Sequence, residues 1–362
     1  MSFLRYHPAV EQIDKDEPAL FQHIADTFKE VGRKVEDNEG AASRVSHAKA
    51  TALLTGELTI SRGLPDELAQ GLAAARGRYE ALVRFAQGPG ENLNDRVSTH
   101  RGMAIKLLGL PGASIPESDE PGTQDLVLDA RSRAFINSTA ASFFANLRGG
   151  VSHAPSLPEG VKSAVSKVAL ATESALETVG LEAKTLGFFG HPPLHPLAET
   201  YFSQAPMRWG DYVAKVGVYP TEATCNGLAS LKVDNKDNPN AFRQAMVEHF
   251  AANGAEFELR VQLATDPEVT PIEDASKEWP EDATPYQVVG RLTLPAQRAW
   301  TPERNAYFDR LSFRPAHSLT AHRPLGQVMR ARLFVYEQLA SFRQREIGEV
   351  PAHPTTIADL PA

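Results

Sequence analysis

The chain has 362 residues, with 37 Lys and Arg against 45 Asp and Glu, and so a formal net charge of −8. That balance argues against nucleic acid as a principal partner, while 42% hydrophobic and 23% charged residues are the proportions of a folded globular protein rather than a disordered or fibrous one. A single cysteine, Cys225, excludes an intrachain disulfide and any zinc or iron–sulfur centre built on cysteine.

No apolar run at the N-terminus has the length of a signal peptide, and none elsewhere approaches the roughly 20 residues of a membrane span, so a cytoplasmic protein with no membrane span is expected. Asp16-Glu17-Pro18 pairs a capping residue with an early proline and opens a helix, in which Leu20, Ile24, Phe28 and Val31 recur at spacings of four, four and three. That helix ends near Asn38-Glu39-Gly40, and residues 44–60, rich in β-branched and small side chains, read as a loop leading into a strand. Further helices are expected over residues 66–76, 137–147, 161–179, 240–252 and 327–344, and strands over 81–86, 103–108, 125–128, 211–218, 256–264 and 287–294. The run from Glu256 to Leu263 alternates without a fault, placing Phe257, Leu259, Val261 and Leu263 on one face, as in a half-buried antiparallel strand. Alternating strands separated by helices point to an α+β protein with an antiparallel sheet. Residues 152–160 and 190–196 read as surface connections.

Several motifs are tested and set aside. Gly88-Pro-Gly90 has a proline between its glycines and no third glycine, so it is a turn rather than a dinucleotide site. His191-Pro-Pro-Leu-His195 spaces two histidines four apart, but its prolines prevent the helix that would aim both at one metal, and a rigid surface loop is expected. Ser46-His47 and Ser152-His153 lie outside any nucleophile-elbow pattern. On the C-terminal helix, Arg332, Tyr336 and Arg343 follow at spacings of four and seven and share a face. A guanidinium beside a tyrosine favours the phenolate, an iron ligand; the same spacing also fits an amphipathic helix whose polar side chains reach solvent.

Six segments then occur in one order: Arg44-Val-Ser-His47-Ala-Lys-Ala, Val83-Arg84-Phe85, His100-Arg101-Gly-Met-Ala-Ile-Lys106, Asp125-Leu-Val127, Trp279-Pro280 followed by Val289-Gly290-Arg-Leu-Thr-Leu294, and Arg332-Leu-Phe-Val-Tyr336. The series resembles the haem catalase family, from about residue 40 to residue 345. The resemblance implies an eight-stranded antiparallel β-barrel with surrounding helices and a haem b pocket beside the barrel. It implies one catalase-like domain over residues 1–362, with an N-terminal helix in 1–40, the barrel with inserted helices in 40–300, and C-terminal helices carrying the proximal ligand in 300–362.

Residue by residue, Tyr336 matches the tyrosinate that ligates haem iron, and Arg332 the guanidinium that keeps it ionised. His47 matches the distal histidine that shuttles the peroxide proton. Arg44, Arg84 and Arg343 match the arginines that hold the propionates. Two departures are visible: Ala130 stands where the family's distal asparagine is expected and Ala86 where a serine orients the distal histidine, with Asp129 or Asn137 as possible substitutes. Without two polar partners, rapid dismutation should be weakened. The chain therefore looks like a minimal catalase-related haem peroxidase, lacking a long N-terminal arm and any extra C-terminal domain. Such an enzyme would reduce hydrogen peroxide or organic hydroperoxides through a high-valent oxo-iron intermediate, with an unidentified small-molecule electron donor, as a homodimer. The alternatives left open are rearrangement of fatty-acid hydroperoxides, as in allene oxide synthases that share the fold, and non-catalytic haem binding.

Overall fold

The computed structural model describes residues 2–40, 44–97, 99–149, 156, 162 and 191–361. Among these, nine strands form one antiparallel sheet: β1 (Ala50–Ile60), β2 (Arg78–Gln87), β3 (Arg101–Leu107), β4 (Gln124–Ala130), β5 (Tyr201–Phe202), β6 (Met207–Trp209), β7 (Tyr212–Pro220), β8 (Ala255–Leu263) and β9 (Gln287–Leu294). The spatial order is β5-β4-β3-β2-β1-β9-β8-β7, and pairing of β5 with β7 closes the ring, while β6 attaches to β7 alone. The closed eight-stranded antiparallel barrel expected from the resemblance is therefore present. Closure removes the sheet edges that would otherwise need covering.

The barrel interior is filled by side chains rather than by a channel. Phe257, Leu259, Val261 and Leu263, the alternating set of β8, all point into it and are buried. So do Val83 and Phe85 of β2, Met103, Ile105 and Leu107 of β3, and Leu126, Leu128 and Ala130 of β4. With every second residue committed to the core, the intervening residues of β2, β3 and β4 must face outward. These outward positions carry the chemistry described below.

Among the described residues, five helices longer than one turn pack around the barrel: α1 (Glu17–Glu39), α2 (Ala140–Gly149), α3 (Ala241–Phe250), α4 (Pro302–Arg310) and α5 (Gln327–Ile347). Phe21, Ile24 and Ala25 of α1 pack on Ala331 and Val335 of α5 and Ala140 of α2. Arg330 pins the start of α5 through Glu11 and Glu17, each at 2.7 Å, and Glu273 at 3.0 Å. Among the described residues no helix is long and apolar enough to cross a membrane.

Two expectations are corrected. Residues 66–76 form turns and a short 3₁₀ segment, Gly71–Ala73, instead of an α-helix. Leu68 and Leu72 are buried as their spacing required, but the Leu72 N–H donates to His322 Nε2 (2.8 Å) rather than to a carbonyl one turn back. The histidines at 191 and 195 lie inside the protein, not on a surface loop: His191 Nε2 meets Glu199 Oε1 at 2.8 Å, and Glu199 in turn binds Arg101. The prolines fix the turn but do not decide its burial, which follows from this charged partnership. The helix expected over 161–179 and the connection 152–160 lie, but for residues 156 and 162, outside the described residues.

Candidate functional site

The register of β2, β3 and β4 builds the site in rows across the outer face of the barrel. Arg84, Ala104 and Val127 form one row, and Ala86, Gly102 and Asp129 the next. Small side chains at 86, 102 and 104 leave a shallow hollow, in which Ala104 and Val127 keep partial exposure on otherwise buried strands.

His47 reaches this hollow from the segment before β1. Its N–H donates to the Gly88 carbonyl (2.8 Å) and the Ala48 N–H to the Pro89 carbonyl (3.0 Å), so the segment runs as an extension of the β1–β2 ladder. His47 itself has φ of 55°, in the left-handed region that a non-glycine residue occupies only when its surroundings hold it there. Its ring lies over Gly102: a Cβ at that glycine would come within 2.6 Å of His47 Nε2. Ser46 Oγ donates to the Gly88 carbonyl (3.2 Å) and so accepts from His47 Nδ1 (2.8 Å). The hydrogen is thereby assigned to Nδ1, and Nε2 is a bare acceptor, buried without a hydrogen-bond partner. Burial first, then the charges of His100, Arg84 and Arg332, hold the His47 imidazole well below its ordinary pKa, hence neutral.

Three further arginines converge beside it. Arg44 pairs with Asp309 at 2.8 Å and donates to the carbonyls of Phe308 (2.5 Å) and Leu311 (3.0 Å) at the end of α4, where helical carbonyls have no partner within the helix. Arg343, from α5, donates to the same Leu311 carbonyl at 2.7 Å. Arg84 donates to the Ala48 carbonyl at 2.9 Å. Burial and, after it, the Arg44 charge push both Arg84 and Arg343 well below the usual guanidinium range, against the opposing pull of Asp309. Among the described residues three guanidiniums thus meet one carboxylate, a surplus of two positive charges, and the Nε atoms of Arg84 and Arg343 are buried without partners. Such an arrangement calls for an anionic group.

Arg332 and Tyr336 lie on α5 and are half-buried. The Arg332 guanidinium rests on Met329 Sδ (3.6 Å) and over the Phe135 ring (5.1 Å).

The site contains groups that the sequence did not announce. Ser46 holds His47 although Ala86 occupies the expected serine position, so His47 keeps an orienting partner. Of the two residues considered in place of the asparagine, Asp129 brings its carboxylate to the His47 imidazole. His100 stands edge-to-face on His47, ring centroids 5.4 Å apart. The Ser46-His47 adjacency was the available signal; Asp309, 265 positions from Arg44, had none.

No protein-family model and no curated protein sequence matches the chain. Solved structures do. A fungal catalase matches with a TM-score of 0.59 and 19% identity over 88% of this chain and 63% of its own. Catalase A from Saccharomyces cerevisiae gives 0.59 and 16% over 88% and 65%, and a bacterial catalase 0.58 and 17% over 88% and 61%. The chain spans less than two thirds of each of these proteins, and the fold it shares with them is that of the catalases.

Proposed function

We propose that the protein is a haem-dependent oxidoreductase that reduces hydrogen peroxide or an organic hydroperoxide at the expense of a small-molecule donor. The observation that carries this reading is the surplus, among the described residues, of two positive charges at Arg44, Arg84, Arg343 and Asp309, with the Nε atoms of Arg84 and Arg343 left unpartnered. Haem b brings two propionates, which match that surplus in number and sign, and planar guanidiniums suit carboxylate pairing. Arg44, Arg84 and Arg343 would hold the propionates, and Tyr336 would offer its phenolate oxygen to the iron. Arg332 lies one turn before Tyr336 on α5. When bound, haem supplies the electrons that reduce the O–O bond and regains them from the donor.

The chain's own part is proton movement. Neutral His47, with its hydrogen held on Nδ1 by Ser46, can take the peroxide proton at Nε2 and pass it to the other oxygen, which leaves as water or an alcohol. The neighbouring Arg84 and Arg332 charges disfavour the imidazolium, so the proton is handed on rather than kept.

Purified protein titrated with haem should take up one equivalent. His47→Gln should keep that uptake while donor-dependent peroxide consumption falls by about 10²–10⁴-fold. Undiminished turnover in this variant contradicts the reading, and a rearranged lipid hydroperoxide formed without donor consumption would replace the peroxidase chemistry by isomerisation.

A further inference from the structure

Beyond the arginine cluster, the hollow holds a second constellation. One nitrogen of His47, one of His100 and one carboxylate oxygen of Asp129 all lie within 4.8 Å of one another. The three residues come from separate segments: the approach to β1, the residue preceding β3, and β4.

Two glycines make room for them. A Cβ at Gly102 would meet the His47 ring at 2.6 Å, and one at Gly88 would meet the His100 ring at 2.1 Å, closer than any real Cβ contact. Asp129 is aimed by the Ala130 N–H, which donates to Oδ1 (2.9 Å), and by Gln204 Nε2, which donates to Oδ2 (3.4 Å). His47 is aimed by Ser46, and its Nε2 lone pair is buried with no hydrogen-bond donor facing it. Two acceptors brought this close, a His47 nitrogen and an Asp129 oxygen, are compatible when a cation lies between them.

We propose that His47, His100 and Asp129 form a site for one divalent transition-metal ion of the Zn²⁺, Co²⁺ or Ni²⁺ class. Two imidazole nitrogens and one carboxylate oxygen are borderline ligands that select these ions over Mg²⁺ and Ca²⁺, which prefer oxygen alone. Three protein ligands leave a further position for water or another small ligand. Metal–ligand bonds of about 2.0–2.2 Å place ligand atoms about 3.4 Å apart in a tetrahedron, so side chains whose ligand atoms lie within 4.8 Å would close by up to about 1.4 Å on binding. The outward His47 nitrogen is held in the required tautomer by its Ser46 partner, the arrangement usual for metal-bound histidines.

This site does not depend on haem. It does share Nε2 of His47 with the proton transfer proposed above, so a bound ion and an incoming peroxide would exclude one another.

The test is a titration of haem-free and haem-loaded protein with Co²⁺, read by visible absorption, and with Zn²⁺, read by calorimetry. One equivalent should bind, and His100→Gln and Asp129→Asn should each weaken binding by about tenfold or more, while His353→Gln, at a half-exposed histidine remote in sequence, leaves it unchanged. Circular dichroism of each variant checks the fold, and either variant alone suffices if the other fails to fold. Zn²⁺ should also inhibit peroxide consumption by the wild type and do so less in His100→Gln. Absence of Co²⁺ binding, binding insensitive to both variants, or equal binding of Mg²⁺ overturns the proposal. Co²⁺ binding without haem uptake would sink the haem reading and leave this site standing; the reverse outcome sinks this site alone.

Discussion

The outer faces of β2, β3 and β4 carry two buried charged clusters that follow opposite rules. One lies on the row Leu82, Lys106 and Asp125, the other around Arg84 and the row Ala86, Gly102 and Asp129. Four residues of β3 separate Lys106 from Gly102, about 13 Å. In the first cluster Lys106 meets Glu120 at 2.5 Å and Asp125 at 3.0 Å, His317 meets Asp125 at 2.7 Å and Asp119 at 2.8 Å, and Arg314 pairs with Asp119. Three positive groups face three carboxylates. In the second, three guanidiniums face one carboxylate, Asp309, among the described residues, and the Nε atoms of Arg84 and Arg343 are left over. Balanced charge buried in a barrel wall is architecture; unbalanced charge beside it marks the place where something else binds.

The comparison breaks most visibly if one charge is removed from each cluster. Lys106→Met leaves Glu120 and Asp125 facing each other without their shared cation, and should destabilise the protein by about 3–5 kcal/mol in chemical denaturation. Arg84→Leu removes one member of a like-charge cluster, so the haem-free protein should melt at an equal or higher temperature. Its haem affinity should fall by roughly tenfold or more, because a charge-assisted hydrogen bond contributes about 1.5–3 kcal/mol. A marked loss of stability in Arg84→Leu would place that arginine with the architectural charges.

A smaller, pH-dependent effect separates the clusters further. His317 is raised above its ordinary value of 6.5, since Asp125 and Asp119 outweigh the opposing effect of burial. Its contribution is therefore full below pH 6.5 and is lost as the pH rises through the raised value. Asp125 is lowered from 3.8, mainly by Lys106 acting against burial, so its contribution is full above that pH and fades in acid. Melting curves of the wild type and His317→Gln between pH 5 and 9 should converge as the pH rises; a constant difference would mean that the charge on His317 carries none of the effect.

These clusters also show which parts of the molecule the sequence discloses. The alternation of β8 and the helical stripe of α1 are local periodicities, and both appear where they were expected. Arg44 and Arg84 stand in matched segments and Arg343 seven residues beyond the last one, but their common neighbour Asp309, 265 positions from Arg44, has no local signal. His191 and His195 were placed at the surface because proline reports backbone shape and not burial; the Arg101–Glu199 pair that draws the segment inward spans 98 positions. His100 opens one of the matched segments, yet its place against His47 depends on the space left by Gly88, which only folding reveals. Periodic signals survive in one dimension, whereas charge balance is a property of the assembled face.

The most direct measurement is a haem titration of the wild type and of the Arg84→Leu/Arg343→Leu variant, followed by optical absorption and thermal melting. The charge surplus predicts one haem per wild-type chain with a rise in melting temperature on binding, and weakened uptake in a variant whose haem-free form is no less stable. A wild type that takes up no haem, or a variant that binds it equally well, would contradict the assignment of the arginine cluster as an anion-holding site.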